Sequence, residues 1–186
     1  RSPTNSIPNA DPYRTAPYNT LPYTYTHTLN PINENAPASV FADKVPSNNN
    51  IVDWVFLELR NSASPATIEQ TRSALVQRDG DIVDVDGVSP VTFNRIASGN
   101  YTVVTRYMNH LGIATDVAIA NQPLLGETKS TAPLVDFTTR TDAQIYGTAT
   151  AFRTNSLTLK NLLWAGDATG DGKVKYSGGS NDQNAI

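Results

Sequence analysis

The apolar run IVDWVFLELR, residues 51–60, constrains the fold more than any other stretch of the chain. Alternate residues of a β-strand point to opposite faces of the sheet. One face would carry Val52, Trp54 and Phe56, and the other Val55, Leu57 and Leu59. A strand with one face in water would alternate with polar residues, whereas both faces are apolar here. The run predicts a central strand covered on both sides.

Several shorter runs with turn signals follow this strand. Asp79-Gly80 predicts a hairpin turn between two apolar runs. Residues 99–120 predict two strands around a turn at 109–112, and LVDFTT and AQIYGTATAF predict further short strands. Together these patterns predict an all-β fold, an antiparallel β-sandwich of the immunoglobulin-like or jelly-roll-like kind.

Residues 1–50 differ from the rest because they hold eight of the chain's twelve prolines. Proline fixes φ and removes a backbone donor, so this segment predicts an extended arm, with an alternating strand-like stretch at 23–29. Pro-Tyr recurs at a spacing of five residues, which places Tyr13, Tyr18 and Tyr23 at regular intervals. These rings would pack on the domain or form a sugar-binding platform. The chain thus divides into an arm (1–50), a β-domain (51–165) and a C-terminal loop (166–186).

Composition excludes several classes of site. The chain has no cysteine, which removes disulfides, thiolate metal sites and cysteine nucleophiles. A net charge of −3 without a basic cluster argues against a nucleic-acid partner, and no apolar run is long enough to span a bilayer. Neither His27 nor His110 lies in a catalytic motif, so no catalytic residue is predicted. The four aspartates of RDGDIVDVDG (78–87) are expected to be solvated turn residues.

The C-terminal loop GDATGDGKVKYSGGSNDQ (166–183) begins like a calcium loop. Its first ligand positions hold Asp167, Thr169 and Asp171, a glycine follows for the turn, and Lys173 would offer its carbonyl oxygen. The usual closing glutamate is absent, so Asn181 and Asp182 are predicted to return and close an expanded loop around Ca²⁺. The leucines and Trp164 of SLTLKNLLWAGD (156–167) are expected to be largely buried and to fix the loop on the domain.

WAGDATGDGKVKYSGGSND resembles the dockerin-like calcium repeat near the C-termini of surface-exposed, hemagglutinin-like proteins of the Bacteroidetes. IVDWVFLELR, ALVQRDGDIVDVDG, GNYTVVTRYMNHLG and DFTT are similar to the β-rich domain that precedes this repeat. The family usually has Asn at the position of Thr169 and tends to carry a second repeat, which would lie beyond Ile186. The resemblance implies a role in cell-surface adhesion or scaffolding.

We therefore expect a non-enzymatic, calcium-stabilised structural or adhesive module, located outside the cell or on a bacterial surface. An arm that leaves its own domain can add to a neighbouring copy and chain subunits into a fibre, whereas an arm that folds back leaves a monomer. A homo-oligomer or a surface or glycan partner is expected accordingly. A carbohydrate-binding module is the alternative function.

Overall fold

The computed structural model describes residues 7–20, 25–29, 33–43, 45, 47–94, 96–108, 110–116, 119–121, 135–146, 151–169, 172–179 and 181–185. Within these ranges the chain forms β-strands and short 3-10 helices, and no α-helix. The prediction of a β-rich fold is confirmed at this level. None of the helices in the described ranges is long and apolar enough to cross a membrane.

The strands are β1 (Ile51–Asn61), β2 (Ser64–Gln77), β3 (Ile82–Val83), β4 (Gly99–Arg106), β5 (Ile113–Ala114), β6 (Ile119–Asn121), β7 (Arg153–Thr154) and β8 (Asn161–Leu162). The 3-10 helices cover Pro12–Arg14, Ala38–Phe41, Ser47–Asn49, Asp142–Gln144 and Asp182–Ala185. One antiparallel sheet has the order β3-β2-β1-β4-β5, with β6 also paired to β4. A second sheet in the described residues is the two-stranded β7–β8 ribbon.

The two longest strands form a hairpin that runs the length of the sheet. Asn61 Oδ1 accepts hydrogen bonds from the amides of Ala63 and Ser64, which fixes the turn between β1 and β2. The predicted turn at Asp79-Gly80 is confirmed, because Gly80 has φ +99° and β3 pairs with the end of β2. Glycine adopts this left-handed conformation without a Cβ clash.

The central position of β1 is also confirmed. It pairs with β2 on one side and β4 on the other. Trp54 and Phe56 lie in the larger core cluster on one face, while Val55 and Leu57 lie in a second cluster on the other. Val52 departs from the pattern, since its side chain is 46% exposed near the start of the strand.

The described part of residues 1–50 folds back on the sheet. Tyr13 and Tyr25 are buried against Phe56 in the larger core cluster. The Tyr13 hydroxyl donates to the Trp54 carbonyl oxygen at 3.2 Å, and Trp54 Nε1 donates to the Pro8 carbonyl oxygen at 2.8 Å. The layer over this face of β1 is therefore built from an irregular segment with 3-10 turns.

The predicted strand at 23–29 is not a strand in its described part, 25–29. Thr28 nevertheless lies against β2: the Thr71 amide donates to the Thr28 carbonyl oxygen at 3.0 Å, and the Thr28 amide donates to Thr71 Oγ1 at 2.8 Å. One of the two contacts is made by a side chain, so the regular backbone ladder of a strand does not form.

Two further strand predictions are wrong for the residues described. Residues 137–139 form a turn and 142–144 a 3-10 helix. Asp136 accepts hydrogen bonds from the Thr138 amide and from the hydroxyls of Thr138 and Thr139, and Gln144 Oε1 accepts one from the Thr141 amide. These local side-chain hydrogen bonds compete with sheet pairing and replace it in the described residues, except at Ile145, which forms an isolated antiparallel bridge with Thr115.

The expectation that the leucines before the acidic loop (residues 166–183) are largely buried is wrong for three of the four, while Leu163 is partly buried against the cluster of Ile113, Ile145 and Phe152. Leu157 and Leu159 are 92% and 74% exposed, and Leu162 is 47% exposed. Their alternation resembles a strand, but the chain turns between β7 and β8. Asn155 Oδ1 accepts from the amides of Leu157 and Thr158, which places the leucines at the tip of a hairpin.

Candidate functional site

The acidic loop is attached to the end of the main sheet. The Leu111 amide donates to the Trp164 carbonyl oxygen at 2.9 Å, and His110 forms an isolated antiparallel bridge with Ala165. The loop therefore starts from a fixed backbone position just before Asp167. Trp164 itself is half-buried.

The side chain of Asp182 returns to the start of the loop. Its Oδ1 accepts from the Thr169 amide at 3.0 Å and from Thr169 Oγ1 at 3.2 Å. Its Oδ2 accepts from the Lys175 amide at 2.7 Å, and the Asp182 amide donates to the Lys175 carbonyl oxygen at 3.0 Å. These donors favour the charged carboxylate, so the pKa of Asp182 is lowered, with the Lys175 amide as the largest cause.

Asp167 occupies the other end of the same loop. Asp167 is 6% exposed, and its Oδ2 accepts a hydrogen bond from the Gly172 amide at 3.0 Å. Gly172 has φ +78°, a conformation that a side chain would strain, and Lys173 follows it in the turn. Asp171 lies outside the described residues.

Asn181 is 9% exposed beside Asp182, and its Nδ2 donates to the Gly178 carbonyl oxygen at 2.6 Å. The loop thus contains two buried carboxylates, a threonine hydroxyl within hydrogen-bond distance of one of them, and a carboxamide. Oxygen donors of this kind fit a hard cation such as Ca²⁺, which takes six to eight of them. A carboxylate oxygen that accepts one N–H keeps a second lone pair for such an ion, whereas Asp182 Oδ1 already accepts two hydrogen bonds from Thr169. The same hydrogen bonds also stabilise the loop without any ion.

Sequence reasoning missed a second group of polar residues, which belongs to the N-terminal segment and lies against β2. Asp11, His27 and Glu34 bring one ligand-type atom each within 4.8 Å of one another. Asp11 Oδ2 lies 2.9 Å from His27 Nε2 and 3.3 Å from Arg14 Nε. An Arg14 terminal nitrogen lies 3.2 Å from Glu34 Oε2. The Arg14 guanidinium bridges both carboxylates, so a protein cation already occupies the place that a metal ion would take.

The same group ties the segment to the sheet. Glu34 Oε1 accepts from Arg72 Nε at 3.0 Å and from the Ser73 amide at 3.1 Å, both on β2. Arg72 also contacts Asp84 Oδ1 at 2.7 Å. Asp84 is therefore an ion-pair partner, whereas Asp79 and Asp86 accept amide hydrogen bonds in their turns as expected. The cluster is a buried ionic network that joins residues 11–34 to β2.

His27 Nδ1 lies 3.4 Å from Thr71 Oγ1, which completes a hydroxyl, imidazole and carboxylate series with Asp11. The same three types of group form hydrolytic triads. Thr71 is 0% exposed, however, and a nucleophile without accessible surface cannot reach a substrate. Its hydroxyl is also near the Thr28 carbonyl oxygen, so the series belongs to the packing of the N-terminal segment.

The tyrosines of the predicted platform differ in burial in the structure. Tyr13 is 0% exposed, with its ring centroid 4.7 Å from that of Tyr25 and 5.5 Å from that of Tyr18. A ring with no accessible surface cannot stack on a sugar, so Tyr13 is a core residue. Tyr18 is half-buried at the edge of this cluster, and Tyr23 lies outside the described residues.

No protein-family model, curated protein or solved structure matches the chain. The function is therefore argued from the residues and their geometry.

Proposed function

We propose that the chain is a non-enzymatic structural or adhesive module of an extracellular or bacterial-surface protein, built on a β-sandwich and stabilised by Ca²⁺ in the loop 167–182. The observation that supports the calcium loop most directly is the contact between Asp182 and Thr169. It brings residues thirteen positions apart into hydrogen-bond distance. In the proposed site Asp167, Thr169, Asp171, Lys173, Asn181 and Asp182 supply the oxygens.

Charge supports a cation in this loop. Asp167 and Asp182 are 6% and 5% exposed, and both carboxylates belong to the same turn of chain. Backbone N–H groups lower the cost of burying these charges, and a bound cation can neutralise them. A divalent ion would do so and would close the loop on the end of the sheet.

Calcium titration of the intact chain tests this proposal. An ion that binds only the folded state raises stability by about 2.7 kcal/mol at a hundredfold excess over Kd. We expect the melting temperature to rise with CaCl₂ and to fall again with EDTA. Asp182→Asn should remove most of this rise, while Asp142→Asn, at an exposed 3-10 turn, should keep it. The same melting temperature in CaCl₂ and in EDTA would refute the calcium site.

We further propose that the N-terminal segment supports self-assembly by exchange between copies. Its described part fills its own core with Tyr13 and Tyr25 and contacts β2 through Glu34 and Thr28. An identical segment from a neighbour can make identical contacts, which is how domain swapping links subunits at low cost. The residues at 47–50 would lie in the connection that changes direction.

An engineered disulfide can distinguish the two arrangements, because the chain has no cysteine of its own. Thr28 and Thr71 are joined by two hydrogen bonds, so Thr28→Cys with Thr71→Cys places a reporter at the contact. Exchange predicts covalent dimers and ladders on a non-reducing denaturing gel. A monomer band alone at high protein concentration would contradict exchange, and the single variant Thr28→Cys is the control.

A further inference from the structure

The tip of the β7–β8 hairpin is an apolar protrusion. Leu157 and Leu159 are 92% and 74% exposed. The tip is held rigidly: the Leu159 amide donates to the Asn155 carbonyl oxygen, and the Asn155 amide donates to the Lys160 carbonyl oxygen, each at 2.8 Å. At its base, Asn161 Nδ2 donates to the carbonyl oxygens of Phe137 and Arg140. Two leucines are thus presented to solvent on a fixed support.

Leu159 also has φ +54°, a left-handed conformation that costs a bulky residue about 1 kcal/mol or more. Asn or Gly would fit this backbone with less strain. Strain of this kind at an exposed position is a reason to look for a function. Burial within the protein does not explain it, because the side chain is mostly in solvent.

A groove of about 510 Å³ lies at the end of the β1–β2 hairpin, and its lining is apolar in part. The apolar part includes Leu29, Ala63, Ile96, Ala97 and Tyr101, and the polar part includes Asn61, Ser62, Ser98 and Asn100. Leu29 is 71% exposed and has φ +47°. A second exposed leucine in a left-handed conformation therefore belongs to the lining of this groove.

The hairpin and the groove are complementary in charge. Arg153 and Lys160 flank the hairpin tip and are exposed. Glu69 is the one charged side chain among the described residues that line the groove. An apolar tip next to a lysine thus has, on the same chain, a partly apolar groove next to a carboxylate.

We propose that the β7–β8 tip of one copy docks into the Leu29–Tyr101 groove of a second copy, with Lys160 next to the partner's Glu69. The two surfaces are different, so the contact is heterologous, and each added copy leaves a free tip and a free groove. Repetition produces an open chain of copies unless the rotation closes a ring. This contact needs neither calcium nor exchange of the N-terminal segment, so it stands or fails separately from both.

A hairpin tip is a small surface, and the contact it makes is weak. Interfaces well below the standard size bind weakly, and we expect a Kd of about 0.1–1 mM. Sedimentation velocity of the intact chain up to about 1 mM, in EDTA, should show a rise of the mean sedimentation coefficient with concentration. A monomer over the whole range would overturn the proposal.

Variants at the tip test whether these leucines carry the contact. Leu159→Asn removes the apolar side chain and suits the backbone, so the protein should fold normally and lose the association. Leu157→Ser should act in the same direction. Val88→Ser, at an exposed valine outside both surfaces, is the matched control and should associate as before. Unchanged association of both leucine variants would overturn the proposal.

Charge reversal tests the pairing itself. Glu69→Lys and Lys160→Glu should each weaken association by about tenfold, since like charges then face each other. An equimolar mixture should associate again, because each protein then meets a complementary partner at both ends. Failure of the mixture to recover would overturn the assigned pairing.

Sedimentation with phosphatidylcholine vesicles separates a second copy from a lipid surface as the occupant. The proposal predicts no cosedimentation of the chain. Cosedimentation that is lost in Leu157→Ser, from a protein that stays monomeric in solution, would overturn it in favour of lipid insertion.

Discussion

The sheet with its N-terminal layer and the C-terminal third of the described chain are held together by different forces. In the first region aromatic rings and a buried ionic network fix the described part of residues 7–43 on β1 and β2. In the second region a smaller apolar cluster around Ile145 and Phe152 is surrounded by short hairpins and turns. These turns are fixed by side chains that accept backbone hydrogen bonds, such as Asn155, Asp136 and Asp182. Buried apolar area stabilises a whole domain, whereas such caps act on a few residues each. The first region should therefore unfold globally, and the loop at 167–182 should open locally.

The largest effect is expected from truncation of Tyr13. Tyr13→Ala should lower the free energy of unfolding by about 4 kcal/mol, because it empties a fully buried site beside Phe56 and Tyr25. Tyr13→Phe keeps the ring, loses only the hydrogen bond to Trp54, and should cost about 1 kcal/mol. Urea unfolding of both variants measures the difference.

Tyr176→Ala is the control for this comparison. Its ring is 79% exposed in the C-terminal loop, and its loss should change the free energy of unfolding by less than about 0.5 kcal/mol. Equal losses for Tyr13→Ala and Tyr176→Ala would mean that the N-terminal layer is not part of the cooperative core.

The ionic network should give the second largest effect. Glu34→Gln leaves Arg14 and Arg72 without their shared carboxylate, although both guanidiniums are largely buried. Removal of the sole partner of a buried charge costs about 3 kcal/mol or more. Because Arg14 keeps Asp11 and Arg72 keeps Asp84, the loss should be smaller, about 2 kcal/mol. Urea unfolding measures this loss, and Asp142→Asn, a substitution at an exposed residue, is the control. A loss no larger than the control's would show that the network contributes nothing net.

The sequence predicted the features that depend on hydrophobic periodicity and on turn-forming residues. β1 with its two apolar faces and the Asp79-Gly80 turn follow from residues 51–83 alone. The ionic network could not be predicted, because Asp11, Glu34 and Arg72 meet only after the N-terminal segment folds over β2. A signal was present in the isolated acid Glu34, in a segment otherwise poor in charge, but its partner lies 38 residues away.

The exposed leucines were mispredicted for a related reason. Leu157 and Leu159 alternate as strand residues do, and alternation alone does not show where a chain turns. The signal lay in Asn155, whose side chain accepts the amides of Leu157 and Thr158. In the acidic loop the return of Asp182 toward Thr169 was a spacing argument, and the calcium ion itself stays a proposal.

A pair of glycines tests the backbone of the acidic loop. Gly172 has φ +78°, whereas Gly179 has no left-handed φ, and neither would meet an atom within 4 Å at an added Cβ. Gly172→Ala should cost about 1 kcal/mol from strain. Gly179→Ala should be neutral or stabilise the protein by about 0.5 kcal/mol, because alanine lowers the conformational entropy of the unfolded chain. Thermal unfolding in CaCl₂ compares the two, and equal effects would mean that the turn at Gly172 does not need its left-handed conformation.

The smallest global effect is expected from acid acting on Asp182, and it sharpens the contrast between global unfolding and local opening. The pKa of Asp182 is lowered in the folded chain, first by the Lys175 amide and then by Thr169. A carboxyl group with a lower pKa in the folded state contributes stability above its unfolded pKa and loses it as the pH falls through the folded value. The loop should therefore open progressively below about pH 4, near the ordinary pKa of aspartate.

Hydrogen exchange at the Thr169 and Lys175 amides should accelerate relative to the intrinsic rate, while the β1 and β2 amides stay protected. In Asp182→Asn these two amides should exchange faster already at neutral pH and lose this pH dependence. Simultaneous loss of protection in the loop and in β1 would show that the two regions unfold as one unit.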